Sequence, residues 1–459
     1  MSTPSKQASA HDYRIPAKSP WAGSWRIAAV IGALGLGGAA YGYTQDADRF
    51  AFSYLFALWL PLSIALGALF FVMVLHVTKA SWGVTVRRVA EMFMRPMPMF
   101  AVLVIPLVLL MPHLFPWLGA KHPAGPVADT SAEHAGHRGP AAASEEPLAE
   151  ARGAQDKEPA AFRDMPYAAP KPLEHAEARE EQQILAHKAI YLNKRFFLAR
   201  LIGYLLIWAW LAQRYFRWST EQDKTRALEN TSAAQSFAPG GLILFGLTLT
   251  FFSFDWFLSI NPTWYSTIFG VQLFSQAALA FTAILILVTL GLRKSGILGD
   301  AVNVEHFHDL GKLLFGWIAF WSYITFAQFF LTWYSNIPDE VAFFHARWHD
   351  NGGTWKSLSL ALVALHFFVP FWFLMSRNVK RRLPLLGLGA VCMLVMHVLE
   401  VYWIILPVYG PLAFNFVDVA CAVGLVGVYM AAVLRGMEDY ALVPVGDPRL
   451  DRALNFENA

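Results

Sequence analysis

The chain is 459 residues long, and 56% of it is hydrophobic while only 15% is charged. An ordinary soluble domain carries about 25% charged residues, so this composition excludes a water-soluble globular protein. The formal net charge of +3 gives no indication of a nucleic-acid partner, and none is expected. Apolar runs of about twenty residues recur along the chain, which is long enough for a helix to cross a bilayer. The sequence therefore predicts an all-α polytopic membrane protein.

The sequence has two cysteines, Cys392 and Cys421, and both lie inside apolar runs. It contains no CxxC pair, no CxxCH haem-attachment site and no cysteine cluster. Covalently attached haem and iron–sulfur clusters are therefore not expected in this chain, and no metal site is predicted.

The apolar runs predict ten membrane helices. Their approximate bounds are 26–43, 51–77, 97–118, 195–217, 239–260, 268–292, 312–334, 355–376, 383–406 and 413–434. The chain thus divides into an N-terminal segment (1–25), helices one to three (26–118), an insert (119–193), helices four to ten (194–434) and a tail (435–459). The insert is rich in Ala, Pro, Glu and His, a composition that buries too little surface to fold, and it is predicted to be largely flexible.

Basic residues alternate between the connections of the predicted helices. They are concentrated in the N-terminal segment, the even-numbered connections and the tail, whereas the short odd-numbered connections are nearly bare. The positive-inside rule then predicts that both termini are cytoplasmic, which agrees with an even number of helices. The insert and the connection after the seventh helix are predicted to face the outside.

Several helices carry polar or ionisable side chains, and such groups inside a membrane are functional candidates by default. The candidates for a proton relay or quinone pocket are Asp255, Gln328, His366, His397, Glu400 and Asp418. His397 and Glu400 are three residues apart and therefore share one face of the ninth helix. The alternative interpretation is that these groups are paired with one another and hold the helices together.

His366 and His397 allow a second hypothesis. They lie at comparable depth on adjacent antiparallel helices, so they are candidate axial ligands of a b-type haem. A haem-based relay across the membrane needs a second such pair, and His76 near the cytoplasmic end of its helix has no evident partner.

Two further groups lie at the predicted membrane surfaces. Asp339 and Glu340 follow "WYSNIP" and form a predicted outer lip. The candidates for a cytoplasmic proton entrance are His76, Glu305, His306, His308 and Asp309. Asp309 also suits the N-terminus of the seventh helix, where a carboxylate interacts favourably with the helix dipole.

The stretch "EHFHDLGKLLFGWIAFWSYITFAQFFLTWYSNIPDE" resembles the membrane signature of NrfD-like (polysulfide-reductase-type) quinone subunits. Two others, "FSYLFALWLPLSIALGALFFVMVLHVTKASWGVTVRRVAE" and "KAIYLNKRFFLARLIGY", are similar to the ActF-type subunit of bacterial alternative complex III, a quinol:cytochrome c oxidoreductase. The resemblance covers about 45–440 outside the insert. The family often has Glu-Glu where this chain has Asp339-Glu340, which keeps both carboxylates.

The resemblance implies two four-helix bundles plus two peripheral helices in the bacterial inner membrane. It implies as partners a homologous NrfD-like subunit, an iron–sulfur subunit and multihaem cytochrome c subunits, with lipids around them. The electron-transfer centres would lie in those partners, and quinone or quinol is the associated cofactor. Whether this subunit itself oxidises quinol stays open, because the first NrfD-like subunit is the better-supported site. The alternative function is a stand-alone proton- or cation-coupled transporter that uses the same buried acids.

Overall fold

The computed structural model describes residues 12–118, 183–349 and 353–457, apart from the side chains of Asp300, Pro338 and Asp339. This part of the chain has no β-strand, and it contains ten helices long and apolar enough to cross a membrane. The prediction of an all-α polytopic protein is therefore confirmed. The ten spans are α1 (Ser24–Gln45), α2 (Ala47–Val77), α3 (Val84–Leu109), α4 (Lys194–Thr225), α5 (Leu228–Ile260), α6 (Phe269–Lys294), α7 (Val304–Ser335), α8 (Lys356–Met375), α9 (Leu383–Val408) and α10 (Phe416–Asp439).

The two ends of the bundle can be told apart by what lies there. The backbone N–H of Leu442 donates to the carbonyl of Tyr13 at 2.8 Å, so the segments before α1 and after α10 meet at one end. We call this the tail end. At the opposite end, the lip end, a short helix (Pro338–Trp348) connects α7 to α8, and we call it the lip helix. Most of the predicted insert, residues 119–182, lies outside the described residues.

Asn and Asp side chains begin four of the spans. Asp46 accepts a hydrogen bond from the backbone of Arg49 at the start of α2, and Asn193 does the same for Phe196 in α4. Asn303 and Asn415 form capping boxes at α7 and α10. Each of these side chains satisfies a backbone N–H that has no partner inside its own helix.

Helix α2 lies at the centre of the fold because it is apolar around its whole circumference, and nearly all of its side chains are buried. Helices α2–α5 pack as one four-helix bundle, and α6–α9 form a second, with α2 and α6 in contact between them. Helix α1 packs mainly on α10, and α10 packs on α2, so these two helices are peripheral.

Three spans begin earlier than the sequence pattern predicts. Helix α3 begins at Val84 instead of residue 97, α5 at Leu228 instead of 239, and α7 at Val304 instead of 312. In α3 the reason is that Arg87, Arg88 and Glu91 are ion-paired inside the protein, so charges that hydropathy assigns to a loop are compatible with a buried helix.

Glycines allow α1 and α10 to approach closely. A Cβ added at Gly35 would lie 2.4 Å from the backbone nitrogen of Gly424, and one at Gly32 would lie 2.6 Å from the nitrogen of Val428. Backbones this close require small residues, a frequent means of helix association in membranes.

We predict that Gly35→Ala lowers the stability of the protein by about 1–3 kcal/mol, because the added methyl group has no space. Gly37 on the same helix has nothing within 4 Å of its Cβ position, so Gly37→Ala is the matched control and is expected to retain or raise the melting temperature. Thermal unfolding in detergent measures both variants. Equal melting temperatures for the two would contradict the close crossing.

Candidate functional site

Helix α9 brings a carboxyl group and an imidazole into the middle of the second bundle. Its sequence is apolar except for His397 and Glu400, which lie on one face as their spacing predicts. That face packs against α2 and α6, and Glu400 is only 1% exposed. A buried carboxyl group in a membrane needs neighbouring polar groups, since lipid provides none.

Two neighbours hold the carboxylate of Glu400. The indole Nε1 of Trp321 on α7 donates to Oε1 at 2.6 Å, and Nδ1 of His366 on α8 lies 3.7 Å from Oε2. The His366 ring stacks on the Trp321 indole with 3.8 Å between ring centroids. Trp321 thus orients both the acid and the imidazole beside it.

His397 faces α2. Its Nε2 lies 3.0 Å from the hydroxyl of Ser63, and that hydroxyl donates to the carbonyl of Leu60 at 2.9 Å. A serine has a single proton to donate, so when that proton goes to the Leu60 carbonyl, His397 Nε2 donates to the serine oxygen. Its Nδ1 is then an acceptor that no described residue occupies.

Helix α6 adds two amides that the sequence analysis did not single out. Gln272 and Gln276 are buried, one turn apart, and face the Glu400 carboxylate. Trp59 on α2 donates to Gln276 Oε1 at 3.4 Å. Two glutamines at helical spacing in an otherwise apolar span are the signal that would have revealed them.

A π-turn positions His366. Residues Val363–Phe368 of α8 form this wider turn, with His366 buried inside it. Pro370 follows and has no N–H to donate to the carbonyl of His366, which interrupts the α-helical pattern. Turns of this type occur frequently at functional sites.

The polar atoms of this region are only partly satisfied. Eight buried atoms have no hydrogen-bond partner among the described residues: Oε1 of Gln272, Nε2 of Gln276, Oγ1 of Thr325, Oε1 of Gln328, both ring nitrogens of His366, Nδ1 of His397 and Oε2 of Glu400. Most buried polar groups in proteins are paired, so such a concentration indicates a place where protons, water or a polar ligand are handled. We call the side chains of His366, His397, Glu400, Gln272, Gln276 and Trp321 the core cluster.

A stripe of polar residues on α7 connects the core cluster with the lip end. Its members follow Trp321 at alternating steps of four and three residues, which keeps them on one helix face. They are Thr325, Gln328, Thr332 and Ser335. The stripe is about 21 Å long at 1.5 Å per residue. At its end, Ser335 donates to the carboxylate of Glu340 on the lip helix at 3.1 Å.

The predicted lip pair is described only in part. The backbone carbonyl of Glu340 also accepts a hydrogen bond from Trp264 Nε1 at 2.9 Å, which fixes the lip helix to the α5–α6 connection. The side chain of Asp339 lies outside the described residues. Of the pair, Glu340 is thus placed at the end of the polar stripe.

Asp255 does not join the core cluster. It lies on α5 and forms a two-pronged ion pair with Arg200 of α4, with Nε and Nη2 at 2.9 and 2.8 Å from its two oxygens. Tyr204 adds a third hydrogen bond at 2.8 Å. This arrangement is the paired, helix-joining alternative weighed above.

Asp418 is equally well satisfied. Arg49 of α2 binds both of its oxygens, and the hydroxyls of Ser53 and Tyr402 donate at 2.5 and 3.0 Å. The backbone N–H of Asn415 donates to it in the α10 capping box. Its contacts connect α2, α9 and α10 instead of contributing to the core cluster.

The candidates for the entrance divide between two places at the tail end. Glu305 pairs with Arg381, His306 belongs to the capping box of Asn303, Asp309 pairs with Lys312 and His308 is buried nearby. His76 lies elsewhere, stacked on Tyr215 at 5.5 Å. The prediction that Asp309 begins α7 is wrong, because the helix starts at Val304 and Asn303 provides the cap.

A second buried charge cluster closes the tail end and was not predicted. Arg87 binds Glu91 at 3.1 Å and Asp447 at 2.7 Å, while Arg88 binds Glu91 at 2.8 Å and Asp223 at 2.7 Å. These groups come from α3, α4 and the segment after α10, so the network fixes the C-terminal segment to the bundle.

Beside the core cluster, toward the tail end, lies a cavity of about 330 Å³. Gly67 and Trp317 in its wall are one turn from Ser63 and Trp321, respectively. Phe70, Phe71, Trp82 and Phe281 complete an aromatic lining. The volume is in the range typical of small-molecule sites, and the walls suit a planar apolar ring. Within the described residues, no group of three or more His, Cys, Asp or Glu side chains is arranged to hold a metal ion.

Comparison with known proteins gives no family assignment. No protein-family model matches the chain, and no curated protein is significantly similar to it.

Asp447→Asn is predicted to destabilise the protein by about 3–5 kcal/mol at neutral pH, because it leaves Arg87 buried without one of its partners. Burial raises the pKa of Asp447, but Arg87 and Arg449 outweigh this effect and hold that pKa below its ordinary value. A lowered carboxyl pKa contributes stability that is present above the unfolded pKa of about 3.9 and is lost as pH falls below it.

The difference in melting temperature between wild type and Asp447→Asn is therefore expected to stay constant from about pH 7 to 5 and to narrow below about pH 4. Thermal unfolding across this pH range measures it. Asp451→Asn, an exposed acid on the same C-terminal segment, is the matched control and should show no such difference. A difference in melting temperature that widens as the pH falls would contradict the ion pair between Asp447 and Arg87.

Proposed function

We propose that the chain is a proton-handling membrane subunit of a respiratory quinol:electron-acceptor oxidoreductase of the alternative complex III type. The observation that supports this proposal most strongly is the core cluster. A carboxyl group and two imidazoles meet inside the membrane, with several polar atoms that no described residue satisfies. Quinol oxidation in such a complex is coupled to proton movement, and groups of these kinds are suited to accept protons and pass them on.

The polar stripe on α7 suggests the route that these protons take. In the proposed orientation both termini are cytoplasmic, so the lip end faces the outside. A proton accepted at the core cluster would pass the hydroxyl and amide groups of Thr325, Gln328 and Thr332 to reach Glu340. We infer that Glu340 releases it at the outer surface, where the redox partners would dock.

We place the electron-transfer step in partner subunits. The aromatic cavity beside the core cluster is a candidate quinone site in this chain, but it lies beyond the inner end of a stripe about 21 Å long. Electron transfer weakens steeply with distance, so a quinol there is poorly placed to reduce a centre docked at the lip end. The homologous NrfD-like subunit is therefore the proposed site of quinol oxidation, and iron–sulfur and multihaem cytochrome c subunits carry the electrons. The core cluster and the polar stripe of this chain then conduct protons whose movement across the membrane is coupled to that oxidation.

Glu400→Gln is expected to lower proton translocation through this chain by about tenfold to a hundredfold, because an amide cannot exchange the proton. The purified complex is reconstituted in vesicles with a pH dye, and the protons moved across the membrane are counted per electron passed to the acceptor; the two protons released by each quinol are fixed by the reaction, so only the translocated protons are lost. Asp418→Asn is the matched control: it also removes a buried carboxylate, and it should lower the melting temperature without changing proton translocation. Unchanged translocation in Glu400→Gln would refute the proposal.

Gln328→Leu tests the proton route along α7 separately from the proton-accepting residue Glu400. It replaces the buried amide of the stripe by an apolar group of similar size, and the rate of proton release is expected to fall about tenfold with little change in stability. Tyr323→Phe, on the exposed face of the same helix, is the control. Equal proton-release rates in the two variants would place the route elsewhere.

A proton- or cation-coupled transporter is the second candidate function, and the same unpaired atoms of the core cluster favour it. A coupling ion also requires a buried acid with unsatisfied polar neighbours. Gentle purification distinguishes the two functions. Co-isolation with haem- and iron–sulfur-containing subunits supports the respiratory proposal, whereas cation-dependent transport by the lone chain in vesicles supports the transporter. The haem-anchor alternative rests on the ring nitrogens that no described residue binds, both of His366 and Nδ1 of His397, and a haem absorbance spectrum of the purified chain tests it.

A further inference from the structure

Arg347 is a buried cation at the lip end. It lies on the lip helix and is only 3% exposed. Its guanidinium group donates to three backbone carbonyls, those of Phe343 at 2.6 Å, Trp403 at 3.1 Å and Ile404 at 2.8 Å. It also lies against the ring of Phe343, with 3.4 Å from Cζ to the ring centroid. The lip helix and the end of α9 together hold this group in place.

These contacts leave the charge of Arg347 incompletely balanced. No carboxylate of the described residues lies within ion-pair distance of it, in contrast to the buried Arg49, Arg87 and Arg88. Carbonyls at the C-terminus of α9 provide only a partial negative charge. A guanidinium group has five N–H donors, and three hydrogen bonds leave two of them available. Burial lowers the pKa of Arg347, which is the direction expected for a buried cation without an acid beside it.

Arg347 lines a cavity of about 350 Å³. Its wall combines Arg347 and Asn261 with apolar residues from three elements, among them Leu258, Phe343, Ile404 and Val408. Asn261 Oδ1 accepts a hydrogen bond from Thr263 at 2.7 Å, so its amide N–H₂ group is the part left to donate. The cavity thus has two hydrogen-bond-donating side chains and an otherwise apolar surface.

The space and its position limit what the ligand is. A water molecule occupies about 30 Å³, so the cavity would hold about ten waters and is far larger than a single small anion needs. It lies at the lip end, level with the last turns of α5 and α9, where lipid headgroups meet a membrane protein. A neighbouring cavity of about 320 Å³ shares Leu258, Pro262 and Trp264 with it and contains Lys188.

We propose that this lip-end cavity binds the phosphate group of an anionic phospholipid. Arg347 and Asn261 donate to the phosphate oxygens, which completes the charge balance of the buried guanidinium. The glycerol and acyl chains lie along the apolar wall, and Lys188 is placed for the second polar group of the headgroup. Capping of α9 explains the contacts of Arg347 with the carbonyls of Trp403 and Ile404, whereas the ligand explains why a cation rather than a neutral donor borders a large cavity.

The test uses the protein as purified, in phosphate-free detergent after removal of bound lipid. Three probes are added separately: dioctanoyl phosphatidylglycerol, dioctanoyl phosphatidylcholine and inorganic phosphate. Phosphatidylglycerol is expected to raise the melting temperature of the wild type by about 2–4 °C, and phosphatidylcholine by less. Native mass spectrometry before lipid removal is expected to show a retained anionic phospholipid.

The variants separate the ligand from the fold. Asn261→Ala keeps every described contact of Arg347 and is expected to lose at least about half of the phosphatidylglycerol shift. Arg347→Gln should lose nearly all of the shift. Arg347→Lys retains the positive charge and should keep part of the shift, and it tests the site if Arg347→Gln does not fold. Lys294→Gln, an exposed cation at the tail end of α6, is the control and should respond like the wild type. Equal shifts in the wild type and both Arg347 variants would overturn the site, and an equal shift with inorganic phosphate would overturn the lipid as its ligand.

Discussion

The hydrocarbon of a bilayer offers no hydrogen bonds, so each polar group carried into it has to be satisfied by the protein itself. Most buried charges of this chain obey that constraint closely. Asp255 is held by Arg200 and Tyr204, and Asp418 by Arg49 and its neighbours. Two places depart from it: Arg347, which has no carboxylate of the described residues beside it, and the core cluster, where Glu400 and two imidazoles lie together with several atoms that no described residue binds. This difference separates the acids that hold the helices together from the acid that we propose to be functional.

Much of the architecture follows from the sequence by simple rules. Hydropathy predicts the ten spans, and the three-residue spacing of His397 and Glu400 predicts that they share a face. Periodicity cannot predict which helices meet. The partners of Asp255 and Asp418 are 55 and 369 residues away, and no local pattern joins them. His366 reaches Glu400 through a π-turn, whose extra residue shifts the register of α8 in a way that regular helical spacing does not show.

Charge patterns mislead where the protein buries its charges. The residues near the start of α3 read as a basic loop, yet Arg87 and Arg88 are neutralised by acids inside the fold. Their contribution to the positive-inside count therefore differs from that of solvated Lys and Arg residues. The sequence likewise does not show that Arg347 is buried, because it is a single basic residue in a short connection. Its burial against the end of α9 is seen only in the three-dimensional structure.

The network at the tail end also has a consequence for the order in which the protein matures. Arg87 leaves the ribosome early, whereas its partner Asp447 follows 360 residues later. Throughout the synthesis of the seven helices after α3, this arginine has only Glu91, which it shares with Arg88, as an acid from its own helix. Arg88 gains Asp223 once α4 has been made, but the second acid of Arg87 arrives only with Asp447. The charges of the network are therefore balanced late in synthesis, and Arg87 needs water around it until then.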